Sequence, residues 1–515
     1  MKARLLAFWL IIVASGMAWI GWSRPTGPPP PAGANASEQR TAQYFESIRN
    51  QPVKLQAFLR NLPKGADLHT HLSGAVYAET FMKWAIQKEL CIDPATFKVF
   101  DTCGKGQVKL NKDLFKNDAV PYAKVIDAWS MRNWQYSGKN GHDQFFGTFG
   151  LWGPLTKQLG QMMAEVRSRA AAGNVSYLEI MLTPDGGASW AFGENLTWQE
   201  NFNDMRDQLT RAGLLDKVIA AEKQLLDQAE QTAKDELRCG QSQPDPGCDV
   251  EVRYIFQIGR TNPPQQVFTQ MFAAFETVNR DPRVVALNLV QPEDNIVAMG
   301  DFSLHMRMLD YFHSIYPHVN ITLHAGELAP GLVPPEGMRS HIRDSVEIAH
   351  AKRIGHGVDL MYERDADQLL QQMASRNVMV EICLTSNDVI LGVRGEKHPV
   401  RAYMAAGVPV ALATDDEGVA RSDITREYLK AVEDHNVTYG QFKNMTRTSL
   451  EHAFISGQSL WQSFGSLQMA SQCSGDRPDG GTLSQQCQQF LNSNRKAWLQ
   501  WNHERNLAAF ESRHQ

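Results

Sequence analysis

Along the chain, short apolar runs rich in β-branched and aliphatic residues alternate with longer stretches whose apolar positions return at helical spacing. The first run ends in "KGADLHTHLSG", from Lys64. The others are "NVSYLEIML" from Asn174, "VEVRYIFQI" from Val250, "RVVALNLV" from Arg283, "NITLHAG" from Asn320, "RIGHG" from Arg353, "NVMVEICL" from Asn377 and "VPVALATD" from Val408. Most are apolar at consecutive positions, as strands buried on both faces of a parallel sheet must be. Eight such runs separated by helical patterns predict an α/β fold, a (β/α)8 TIM-type barrel, with a doubly wound open sheet as its competitor.

The polar residues decide between the two. His69 and His71, His324 with Glu327, His356, and Asp415 with Asp416 all lie at or just past the C-terminal end of a predicted strand. In a barrel those ends ring one mouth, whereas an open sheet spreads them along an edge. Two stretches, about 77–170 and 195–249, exceed a plain crossover and are predicted as helical insertions that roof the mouth or mediate contacts. Past residue 420 the pattern is that of a helical C-terminal extension.

Composition changes the picture mainly at the start. Residues 1–23 place Lys2 and Arg4 before an apolar run from Leu5 to about Trp22, the pattern of a secretory signal peptide or of an uncleaved signal anchor. Residues 24–40, "RPTGPPPPAGANASEQR", are a Pro/Gly-rich linker by composition, leaving 41–515 for the barrel domain with its insertions. Six of the seven cysteines form close sequence pairs, Cys91 with Cys103, Cys239 with Cys248 and Cys473 with Cys487, in loops that suit local disulfides. Cys383, inside "VMVEICLT", reads as a buried small hydrophobe. Signal and cysteines agree on export, to a periplasmic or extracellular location, with membrane contact only through a retained anchor. A net charge of −5 and a pI near 6.3 supply no basic field for a nucleic acid polymer. A small-molecule partner is the simpler expectation, and a second copy of the chain is the candidate protein partner through the long insertions.

Three imidazoles and a carboxylate make a site for Zn²⁺, with His69, His71, His324 and Asp415 as ligands; ligand type alone also admits divalent iron or manganese. His69 and His71 are two apart, so a strand sends both to the same face. Glu327, three residues after His324, could reach a substrate atom without binding the ion. His356 sits between glycines that allow close backbone approach, and Asp416 points away from its neighbour Asp415 toward a substrate.

Taken in order, "DLHTHL", "HAGE", "RIGHGVDL" and "ATDD" resemble the adenosine deaminase family of amidohydrolase-type barrels, over roughly residues 60 to 455. The signal segment, cysteine pairs and enlarged insertions resemble its secreted, growth-factor-related branch. The resemblance implies one Zn²⁺ per chain, in line with the absence of a bridging lysine at the end of "VVALNLVQPED". It also implies hydrolytic deamination of adenosine or a related adenine nucleoside to an inosine-type product and ammonia. In that chemistry His356 acts as base and orients the water, Asp416 holds it and the purine, and Glu327 gives a proton to N1. Ser73, Gly326, Gln291 and Asp416 fall at substrate-binding positions. Ser73 stands where the family carries an aspartate, and Gln291 near where it carries a glycine, so purine 6-deamination is the firmer expectation and the exact substrate the looser one. The other zinc deaminase fold, with its PCxxC signature, is excluded because that motif does not occur. Two other readings stand beside this one: a metal-dependent hydrolase of another amide or ester, and an exported nucleoside-binding or signalling protein without turnover.

Overall fold

In a computed structural model of the protein, residues 36–115 and 119–514 are described. The signal segment and most of the predicted linker lie outside them. Eight strands form one parallel sheet in chain order: β1 (Gly65–His71), β2 (Val175–Leu182), β3 (Glu251–Gly259), β4 (Val284–Val290), β5 (Asn320–Ala325), β6 (Arg353–His356), β7 (Met379–Ile382) and β8 (Val410–Leu412). All eight predicted strands are present. The sheet closes between its first and last members, where Asp415 N–H donates to the His69 carbonyl at 2.8 Å and His71 N–H donates to the Asp415 carbonyl at 3.2 Å. The closing seam therefore runs through residues predicted to bind metal.

Inside the barrel, Ala66, Leu68, Tyr177, Met379 and Ala411 pack with Leu450 and Ile455 from the C-terminal region. Below the mouth lies a buried ionic cluster. Arg353 is fully buried, its guanidinium 2.7 Å from Glu179, 2.5 Å from Glu381 and stacked 3.9 Å from the centroid of Phe454. A buried charge with both partners in place avoids the cost of a lone ion and fixes the strands that carry it. Disulfides link Cys91 to Cys103, Cys239 to Cys248 and Cys473 to Cys487, with Cys383 free and buried, as the spacing predicted.

Three boundaries move. Ala36–Ile48 is a helix, so the predicted linker gives way before residue 40: Glu38 lies in the first turn, and Thr41, Phe45 and Ile48 are buried. The stretch 77–170 ends in the helix Leu159–Ala172, which packs on β2 as an ordinary crossover helix. Within 195–249, the helix Leu214–Glu236 packs against that helix and against Pro264–Arg280, in the barrel's outer layer. Helical periodicity looks the same in an inserted helix and in a crossover helix, which is why the sequence pattern could not divide them.

Candidate active site

The strand ends bring the predicted residues together. The Nε2 atoms of His69 and His71 each lie 3.1 Å from His324 Nε2, and Asp415 Oδ1 lies 3.5 Å from His69 Nε2 and 3.4 Å from His71 Nε2. His356, Glu327 and Asp416 are buried around the same point. Close backbone packing makes room for them. A Cβ on Gly355 would lie 2.6 Å from His69 Cε1, and one on Gly74 only 1.5 Å from Asp416 Oδ1, so each glycine is required by a neighbouring side chain. His356 (φ 67°) and Asp415 (φ 56°) adopt left-handed backbone, a strained state that turns both side chains inward and is typical of functional sites.

The partners of the histidines bear on what the cluster could hold. His69 Nδ1 is 2.5 Å from the Glu381 carboxylate, His71 Nδ1 is 2.8 Å from Gln257 Oε1, and His324 Nδ1 is 3.0 Å from Asn288 Oδ1. The Asn288 oxygen is identified independently, because it also accepts the His324 backbone N–H at 3.0 Å. Each ring thus donates its Nδ1–H outward and turns Nε2 toward the others, the arrangement of metal-ligating histidines. Nitrogen lone pairs 3.1 Å apart repel unless a cation lies among them. Burial disfavours charge on His69, yet Asp415 and Glu381 raise its pKa to about 10, so the space between ring and carboxylate favours positive charge. Burial also opposes charge on Asp415, but the hydrogen bond to His69 and the nearby His356 and His71 keep it well below the usual carboxylate range. Among the described residues, ligand atoms of His69, His324, His356 and Asp415 lie within 4.8 Å of one another, as do those of His71, Asp415 and Asp416, so the cluster could hold a metal ion.

The other residues differ from the predicted ligands. Gly326 (φ 72°) turns the chain after β5, and the N–H groups of Gly326 and Glu327 donate to Glu293 at 3.1 and 2.8 Å, tying down the loop that carries Glu327. Glu327 Oε1 lies 3.8 Å from His356 Nε2; burial, reinforced by Asp415, pushes its carboxyl up to about 8. Asp416 is pushed well above the carboxylate range by burial and then by Asp415. Asp416 Oδ1 and His356 Nε2 are buried without a hydrogen-bond partner, so both remain free for a guest.

The residues at predicted substrate-binding positions behave unequally. Gly326 and Asp416 belong to the cluster. Ser73 is half-buried in the short helix Leu72–Ala75 beside Gly74. Gln291 has its amide oxygen occupied by Thr261, which donates from both N–H (3.0 Å) and hydroxyl (2.6 Å). The residues that hold the site in place were missed: Gln257, Asn288, Glu381, Ser386 and Asn387. Ser386 donates to Asp415 Oδ2 at 2.6 Å, and Asn387 lies 2.9 Å from His356 Nδ1. A usable signal existed for two of them, since Asn288 and Glu381 are lone polar residues inside otherwise apolar strands.

Residues 156–460, more than half of the chain, match the profile of the family described as Adenosine deaminase. The chain belongs to the adenosine deaminase family. β1, with His69 and His71, lies before the matched region and joins the family residues through the barrel geometry. Among relatives, an adenine deaminase of Rhizobium leguminosarum bv. trifolii is 29% identical over 208 residues, which are 40% of this chain and 58% of that protein. An adenosine deaminase of Shewanella woodyi is 26% identical over 224 residues, 41% of this chain and 58% of that protein. The chain therefore spans a little over half the length of these family members. In fold it is similar to the N6-methyl-AMP deaminase of Arabidopsis thaliana, with a TM-score of 0.50 and 21% identity over 78% of this chain and 94% of that one.

Proposed function

We propose that the protein is a zinc-dependent purine 6-deaminase that converts adenosine or a related adenine nucleoside to its 6-oxo product and ammonia. The observation that carries this reading is the set of three histidines in which the Nε2 atoms of His69 and His71 both approach His324 Nε2 beside Asp415, with Glu327 and Asp416 buried alongside. A zinc ion held by His69, His71, His324 and Asp415 would lower the pKa of a bound water toward ~7, making hydroxide available near neutrality. The protein's own residues do the rest. Glu327, kept protonated by its dry surroundings, delivers its proton to purine N1 as hydroxide adds to C6. Asp416 carries the hydroxyl proton to the departing amine, and ammonia leaves. His356 orients the attacking oxygen. Glu327 is then reprotonated from solvent, so one water is consumed per ammonia released.

Adenine itself is the second substrate reading, favoured by two features: the similarity to an adenine deaminase and the serine at position 73. The three disulfides and the N-terminal segment support work in an oxidising compartment outside the cytoplasm. Release of ammonia from adenosine, 2′-deoxyadenosine and adenine, and of methylamine from N6-methyladenosine, assayed with and without chelator, tests the proposal. Chelator-sensitive turnover of at least one is expected; release from none of them would overturn it.

A further inference from the structure

His356 is bonded in the opposite sense to the three ligand histidines. Their Nδ1 atoms face acceptors, whereas His356 Nδ1 faces the Asn387 side-chain amide nitrogen at 2.9 Å. The orientation of that amide follows from a group whose role is not in question. The Val400 backbone N–H donates to His398 Nδ1 at 3.2 Å, so that nitrogen carries no proton. The single proton of the neutral His398 ring is then on Nε2, which donates to Asn387 Oδ1 at 2.9 Å. With its oxygen committed to His398, Asn387 presents NH₂ to His356, and His356 Nδ1 must accept. His356, Asn387 and His398 are 1%, 0% and 3% exposed, so water does not compete for these bonds. Burial, reinforced by His435, lowers the His398 pKa to about 3, in keeping with a neutral ring.

We propose that Asn387 and His398 are positioning residues that hold His356 in its Nε2–H tautomer, so that His356 donates a hydrogen bond to the attacking oxygen instead of removing a proton from it. This replaces the base expected from the sequence, and it rests on the deaminase reading only for the identity of that oxygen. The opposite tautomer would require Asn387 to turn over, its NH₂ then facing His398 Nε2. His398 would have to move its proton to Nδ1, against the Val400 N–H. The relay thus opposes a proton-accepting Nε2 through three consecutive contacts. It also separates His356 from the ligand set: a protonated Nε2 cannot bind a metal, although His356 lies close enough to His69, His324 and Asp415 to share one. The proton balance needs no base at this position, because the oxygen enters as hydroxide, having released its proton to solvent.

Two-bond ¹H–¹⁵N correlation spectra of the ¹⁵N-histidine-labelled protein, as isolated and after chelation, read the tautomer directly. His356 is assigned as the signal lost in His356→Gln. The expected result is a proton on Nε2 and a bare Nδ1 in both states; a proton on Nδ1 would overturn the proposal whether or not the protein deaminates any purine. In Asn387→Asp the carboxylate accepts from both rings, so the His356 proton should move to Nδ1. kcat should then fall on the order of 10²- to 10⁴-fold with KM little changed. His398→Gln, whose amide can accept from Val400 and donate to Asn387, should retain more activity than His398→Leu. A near-normal kcat in Asn387→Asp would also contradict the proposal, and if that variant fails to fold, the spectrum of the unaltered protein still decides.

Discussion

At the barrel mouth, His69, His324, Glu327, His356, Asp415 and Asp416 are all buried, and their order comes from hydrogen bonds to further buried polar groups. The C-terminal lobe is held differently. There Leu460, Trp461, Phe490, Leu491 and Trp501 form a small apolar cluster around the Cys473–Cys487 bond. A cluster of that size buries too little surface to order a lobe alone, and a covalent link offsets part of its chain entropy. The mouth cannot be stabilised in that way, because its lone pairs and carboxylates need a guest and partners of the right sense. One region is thus specified by chemistry and the other by connectivity, and changes to the two should separate activity from stability.

The largest effect is expected from the ligands. His69→Ala or Asp415→Ala should remove most bound metal and lower turnover on the order of 10⁴-fold or more, since the remaining three ligands bind weakly and lose the open position. Elemental analysis beside the activity assay checks this, and full metal content in both variants would show the ligand set to be wrong. Next, Glu327→Gln keeps shape but carries no acid proton. It should retain metal and substrate binding while losing on the order of 10²- to 10⁴-fold, mainly in kcat. Glu381→Gln should be milder, weakening metal affinity on the order of 10- to 100-fold, because the His69 Nδ1–H then meets a neutral acceptor. The smallest effect on activity belongs to the other region: Cys473→Ser with Cys487→Ser should cost about 2–4 kcal/mol in denaturant unfolding while kcat at room temperature stays near normal. A large loss of kcat in that pair would break the separation of the two regions.

Legibility in the sequence followed the same division. The strands were readable because two-sided burial demands consecutive apolar residues. The residues proposed to do the chemistry were readable because His69, His324, Asp415 and their neighbours sit where those runs end. Their partners were not, because Glu381 meets His69 across 312 residues, and Asn387 meets His356 across 31, from the first turn of the helix Leu384–Leu391. Nor did the pattern reveal that Gln291 would be occupied by Thr261, which lies 30 residues earlier, just past the end of a different strand. The sense of a hydrogen bond is a further step removed. "HAGE" and "RIGHG" both display a histidine at a strand end, yet one ring presents a lone pair and the other a proton.

The central claim is that one metal ion, held by His69, His71, His324 and Asp415, is required for purine deamination. It is tested most directly by titrating zinc into the chelator-stripped protein while following adenosine or adenine conversion by ultraviolet absorbance. Activity should be absent at the start, rise linearly and reach its plateau at one equivalent per chain. Full activity in the stripped protein, or no recovery at any zinc concentration while folding is retained, would contradict it.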